Sequence, residues 1–142
     1  MILADVNVLI YAFRPDSAHH ATCKPWLNRI ILGDSQFGVS RLILSAVARI
    51  TTNSRVFKEP NSIDEVFAYC NNLLNQPHCE IIEPSERHWS IFTRLCTQTD
   101  TKGPRMTDAW LAALAIEHGC TWITYDRDYS RFPQLDWREP EA

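Results

Sequence analysis

Apolar residues recur along the chain in two kinds of run. Residues 2–13, ILADVNVLIYAF, read as a buried first strand running into a turn and a short helix. Phe37-Gly38-Val39, Cys79–Ile82 and Cys120–Thr124 are short, apolar and of strand length. Leu135-Asp136-Trp137, after Phe132-Pro133, suggests one last short strand and a tail. Between these lie stretches with apolar residues at helical spacing. One carries Trp26, Leu27, Ile30 and Ile31 and ends near Gly33, with Pro25 near its start or kinking it. A second carries Leu42, Leu44, Ala46, Val47 and Ile50 behind a Ser40 cap. A third opens on the capping-box pattern Ser62–Glu65, continues through Val66, Phe67, Tyr69, Leu73 and Leu74, and stops at Pro77. A fourth has Trp89, Phe92 and Leu95 behind a Ser85 cap.

The fifth helical stretch has the smallest side chains. Ala109, Leu111, Ala112, Leu114, Ala115 and Ile116 follow a Thr107 cap, so the helix is predicted to start at Asp108. His118-Gly119 suits its end, because glycine tolerates the left-handed conformation there. Strands separated by helices, with no hairpin signal, imply a parallel pairing. The expected fold is α/β: a three-layer sandwich with a central, mainly parallel β-sheet, in one domain over residues 1–142.

Composition narrows the function. The 142 residues are 45% hydrophobic and carry a net charge of −3, which excludes a protein that coats nucleic acid through excess positive charge. A nuclease remains compatible, since acids around divalent ions lower the total. No apolar run approaches the ~20 residues needed to span a membrane. Asp5 interrupts the first apolar residues at once, so no secretory signal pattern is present, and a cytoplasmic location is expected. Five cysteines without CxxC spacing read as reduced, mostly buried thiols. His19 and His20 are adjacent and do not share a helix face, so they read as solvated residues at a helix start.

The candidate chemistry lies in acids at strand and helix ends. Asp5 and Asn7 are the strongly polar residues of the first run. A carboxylate at the end of a buried strand costs several kcal/mol unless it is paired, hydrogen-bonded or metal-bound, and a helix cap would also account for it. Asp108 stands at a helix start; Asp126 and Asp128 follow a late strand. Parallel strands place their C-terminal ends on one edge, so these acids can meet. Clustered carboxylates with water in the remaining positions suit Mg2+ or Mn2+. The chain has no GxxxxGK[ST] loop, no GxGxxG and no GxSxG, which argues against nucleotide-fuelled, dinucleotide-dependent or serine-hydrolase chemistry. Arg41, Arg49, Arg55 and Lys58 form a modest basic strip able to meet phosphates or simply to face solvent.

At these residues the sequence resembles the PIN-domain ribonucleases, specifically VapC-type toxins of bacterial toxin–antitoxin pairs. The motifs are Ala4–Tyr11, Arg49–Phe57, Met106–Ala109 with Leu111–Ala115, and Thr124–Tyr129 before Phe132. The resemblance implies a PIN-like fold and Mg2+-dependent endonucleolytic cleavage of RNA. It also implies a small cognate VapB-like antitoxin and a homodimer. By position, Asp5, Asp108 and Asp126 match the family's catalytic and metal-binding acids. Asn7 and Thr124 match groups that orient them. Asp128 is a helper or the cap of the next turn. Arg41, Arg49, Arg55, Lys102, Arg105 and Arg127 are the cations available for RNA phosphates. One departure stands out. Many relatives carry a glutamate early in the helix after the second strand, and the matching residue here is Ala46, with Ser45 or a water available to fill the gap. The alternative reading is a catalytically weak or inactive PIN-like domain that binds RNA or a partner. A haloacid-dehalogenase-type phosphatase is disfavoured because Asn7 stands where those enzymes need a second aspartate.

Overall fold

Five short strands carry the fold, and the computed structural model describes all of residues 1–142. They are β1 (Ile2–Ala4), β2 (Phe37–Val39), β3 (Cys79–Ile81), β4 (Thr121–Ile123) and β5 (Trp137–Arg138). The sheet order is β3-β2-β1-β4-β5, and every neighbouring pair is parallel. β1 is therefore central, in register with β4 through Ile2–Thr121, Leu3–Trp122 and Ala4–Ile123. Such a strand is covered on both faces, which is why it reads as a continuous apolar run.

Six helices flank the sheet in a three-layer α/β sandwich: α1 (Val6–Phe13), α2 (His20–Leu32), α3 (Arg41–Thr51), α4 (Ile63–Leu74), α5 (His88–Thr99) and α6 (Met106–Glu117). A single cluster of buried apolar side chains runs through the molecule, with Leu3, Val8, Val47, Val66, Leu95, Trp122 and Ile123 fully enclosed. α6 lies deepest. Ala109 and the whole run Leu111–Ala115 are buried, so it has no polar face in its middle. Its alanines allow close approach on all sides.

Helix ends agree with the sequence in part. Ser40 Oγ accepts the Ile43 N–H at 3.3 Å, and Ser62 and Glu65 form the reciprocal capping box. Gly119 has φ +64° just past α6, as expected of a left-handed C-terminal glycine. Two expected caps fail. Thr107 is exposed and caps nothing, because the 3-10 turn Gly103–Arg105 runs directly into α6, which begins at Met106. Ser85 makes no side-chain cap to α5; instead Glu117, at the far end of α6, accepts the N–H groups of Ser85 and Arg87 at 2.8 and 2.9 Å. Two helices are also rotated from the expected face. Ile43 is buried while Leu42 is 55% exposed, and His88 and Ile91 are buried while Trp89 is 64% exposed. Pro25 sits inside α2, not at its first turn.

Polar residues near the start of the chain are more engaged than their composition suggested. Arg14 is buried, pairs with Asp16 at 2.7 Å, donates to Asn61 Oδ1 at 2.8 Å and lies 3.8 Å from the Phe57 ring centroid. It thereby ties the end of α1 to the connector before α4. His19 is exposed but stacks on Tyr125 at 4.1 Å, and His20 Nδ1 lies 2.8 Å from the Tyr11 carbonyl oxygen. They are packing groups and not merely solvated ones.

Gly38 tests the tightness of the sheet. A Cβ there would stand 2.8 Å from Ile82 Cγ1 and 3.2 Å from the Ile2 carbonyl oxygen. Gly38→Ala should cost about 1–3 kcal/mol in thermal or denaturant unfolding. In an Ile82→Ala background, where the closer atom is gone, the same change should cost clearly less.

Candidate active site

The site is assembled where β1 and β4 end. β1 stops at Ala4, and Asp5 both continues the ladder through its N–H to the Ile123 carbonyl and caps α1. Its Oδ1 accepts the Val6 N–H at 2.7 Å, and its Oδ2 accepts the Thr124 hydroxyl at 2.7 Å. Thr124 Oγ1 in turn accepts the Asp126 N–H at 3.0 Å. One buried threonine thus links the acid after β1 to the acid after β4. Asp126 caps the following 3-10 turn, Arg127–Arg131, by accepting the Asp128 N–H at 3.0 Å. Asp128 itself is exposed and is not the cap; its carboxylate lies 3.9 Å from Arg105.

Asp108 comes from the first turn of α6. Its Oδ1 faces the Tyr129 hydroxyl at 3.4 Å, and its Oδ2 lies 3.6 Å from Arg131 Nη2. Asp5, Asn7, Asp108, Asp126 and Tyr129 line one cavity of about 450 Å³. Ile10, Leu42, Ile43, Ala46, Ile50 and Leu111 are among its apolar lining, and Ser45 and Arg49 also line it. A larger hollow of about 600 Å³ opens beside the starts of β1 and β2, where Asp34 is the one acid in its lining. The acids therefore mark the smaller cavity as the candidate site.

Electrostatics reinforce that choice. Asp5 is 7% exposed, and burial is the main reason its pKa is pushed up to about 6. The Thr124 and Val6 hydrogen bonds oppose that shift, while the nearby Asp126 and Asp108 add to it. Burial, then Asp5, Asp108 and Asp126, push the Tyr129 phenol well above its usual range. Both groups sense the other acids, which places the carboxylates in one electrostatic neighbourhood.

The donor set fits a hard divalent cation. It consists of oxygen atoms, it concentrates negative charge, and Asn7 Oδ1 is buried without a hydrogen-bond partner on the same cavity wall. No three His, Cys, Asp or Glu side chains stand together as a closed ligand set. Asp5, Asp108 and Asp126 thus share a cavity without forming a preassembled three-carboxylate cage. Mg2+ commonly binds through one or two carboxylates while keeping several waters.

The five candidate phosphate-binding arginines fare unequally. Arg49 lines the cavity, is exposed and has no ion pair. Arg41 Nε donates to Glu83 at 3.0 Å, Arg127 lies 3.4 Å from Glu139, and Arg105 faces Asp128. Arg55 is exposed on the connector after α3. Lys102 pairs with Asp100 at 3.4 Å. Two neighbours of the acids had no role assigned from the sequence: Tyr129, which closes the Thr124–Tyr129 motif, and Arg131. Tyr129 follows Asp126 by three residues, the spacing that eclipses side chains in a 3-10 turn, so a predicted 3-10 turn would have exposed it. Nothing in the sequence marked Arg131.

The comparisons agree with this architecture. Residues 2–135 match the PIN domain family. Over 140 residues the chain is 39% identical to VapC ribonuclease Mb2897 of Mycobacterium bovis, covering 99% of this chain and 95% of that one. Over 135 residues it is 39% identical to ribonuclease VapC25 of Mycobacterium tuberculosis, covering 95% of each. The fold superposes on VapBC2 of Rickettsia felis, solved with a promoter DNA fragment, with a TM-score of 0.72. That match covers 99% of this chain and 100% of that one at 17% identity. The chain belongs to the PIN-domain family, and its relatives place it in the VapC-type branch. No helix is long and apolar enough to cross a membrane.

Asp5 makes stability depend on pH. The unfolded chain ionises it near 3.8 and the folded chain near 6, so between those values the native state holds a proton that the unfolded state has released. Stability is therefore lost as pH rises through this window and stays lost above it, by on the order of 3 kcal/mol. In metal-free protein, Asp5→Asn should raise the melting temperature at pH 7.5. The gain should vanish near pH 4.

Proposed function

We propose that this protein is a Mg2+-dependent endoribonuclease, the toxin of a VapBC-type toxin–antitoxin pair, acting in the cytoplasm as a single PIN-like domain. The observation that carries this reading is the shared cavity of Asp5, Asp108 and Asp126, from three distant parts of the chain. The named activity of its relatives supports it. Mn2+ is expected to substitute for Mg2+.

Asp5 and Asp108 would hold the cation, with Asp126 and the Asn7 amide oxygen as further oxygen donors. When bound, a divalent ion lowers the pKa of a bound water and steadies charge on a phosphoryl centre. Thr124 holds Asp5 and the Asp126 backbone in register, so both acids face the cavity without reorganising. Arg49, in the same lining, is the cation available to an RNA phosphate. A small VapB-like antitoxin is the proposed partner, since the structural neighbours are VapBC complexes. A homodimer is the proposed assembly.

One observation favours a second reading, an inactive domain that only binds RNA or a partner. Ala46 lines the cavity where many relatives carry a glutamate, leaving an apolar patch in place of an acid. Metal titration separates the two, because an inactive scaffold binds neither Mg2+ nor Mn2+ at the acids.

Asp5→Asn and Asp108→Asn should each lower Mg2+-dependent cleavage of a single-stranded RNA by more than about a hundredfold, beyond the usual cost of losing an outer partner. Circular dichroism should show both variants folded. Chelation with EDTA should silence the wild type equally. A folded variant cutting at the wild-type rate overturns the assignment.

A further inference from the structure

The three acids are held by different means. Asp5 accepts a backbone N–H and a threonine hydroxyl, and Asp126 accepts the Asp128 N–H. Asp108 accepts no backbone hydrogen bond. Its neighbours are Tyr129 and Arg131, both from the 3-10 turn that Asp126 caps.

Tyr129 is 2% exposed. Its ring packs 5.4 Å from the Trp122 ring and 6.0 Å from that of Phe132, so its position is set by the core. Its hydroxyl has Asp108 as its one hydrogen-bond partner. Phenylalanine would fill the same ring space, and burying a hydroxyl among apolar groups costs free energy unless it is bonded. Packing therefore explains the ring and leaves the oxygen unexplained. The oxygen lies beside the one acid that lacks a backbone tether. Its 3.4 Å separation is long for a hydroxyl donor, as hydrogen bonds in unliganded sites often are before the complex assembles.

We propose that Tyr129 is a positioning residue: its buried hydroxyl donates to Asp108 Oδ1 and holds that carboxylate in the cavity it shares with Asp5 and Asp126. The proposal rests on reading those acids as a divalent-cation site. A carboxylate whose rotamer is already fixed loses less freedom when it binds an ion, which is how partners of ligating groups raise metal affinity. Arg131, 3.6 Å from the other oxygen, limits the opposite swing of the same group.

The test is Tyr129→Phe in the full chain, with Mn2+ as the probe and binding read by electron paramagnetic resonance. The dissociation constant should rise about tenfold. The Mg2+ concentration giving half-maximal cleavage should rise in step, while KM for RNA at saturating Mg2+ stays unchanged. Metal-free melting reports whether the variant is folded. In an Asp108→Asn background, adding Tyr129→Phe should change Mn2+ binding by less than about twofold, because the effect travels through Asp108. A folded Tyr129→Phe protein binding Mn2+ within twofold of wild type overturns the proposal and leaves the cation site standing. A further tenfold loss in the Asp108→Asn background also overturns it. A wild-type protein that binds no Mn2+ overturns the cation site itself, and this role with it.

Discussion

A carboxylate at the end of the central strand governs the rest of the site. β1 is enclosed by β2 and β4, so the residue that follows it emerges among the ends of its neighbours with little access to water. An ionised group there needs partners close at hand. Asp5 finds a backbone N–H at the start of α1 and the Thr124 hydroxyl at the end of β4. Those two bonds hold it in place but do not cancel its charge. Asp126 and Asp108 add more charge of the same sign. The excess leaves like charges facing one another in a single cavity, the condition on which the proposed cation site rests.

Arg14 shows the contrasting case. It too is a buried charge near the end of α1, yet its guanidinium meets a carboxylate, a side-chain amide, a backbone carbonyl and an aromatic face. The guanidinium makes four hydrogen bonds within the chain. It ties the end of α1 to the connector after α3, and it leaves no unbalanced field. The two residues differ in closure and not in burial. A closed buried charge stiffens the fold, while an open cluster of like charges prepares it for a ligand.

The mixed acidic and apolar lining of the cavity follows from the helices around it. α1 and α6 bring Asn7 and Asp108, while α3 brings Ala46, Ile43 and Ile50. With Ala46 in place of an acid, α3 contributes one charged group to the cavity, the cation Arg49. Most other candidate cations are paired with acids elsewhere on the surface. Arg49 is the one cation in the cavity lining, and Arg131 approaches Asp108 from the 3-10 turn.

The linear pattern was sufficient for the five strands, the six α-helices and their order, but not for the two 3-10 turns. Short apolar blocks alternating with helical spacing specify parallel pairing, because no turn between them is short enough for a hairpin. Ser40, the Ser62–Glu65 box and Gly119 are local devices whose partners lie within a few residues, so they too were legible. The acids at strand and helix ends were legible as candidates for the same reason: parallel strands share one edge. The rest depends on partners far apart in the chain. Glu117 takes the N–H groups that Ser85 was expected to serve, across more than 30 residues of chain. Leu42 and Trp89 turn outward because neighbouring helices, and not periodicity alone, decide which face is covered. Thr124 reaches Asp5 across 119 positions, and Tyr129 reaches Asp108 across 21. Sequence by itself determined which groups were available and which edge they would occupy; only packing in three dimensions decided which of them touch, since contact depends on helix rotation that no local spacing encodes.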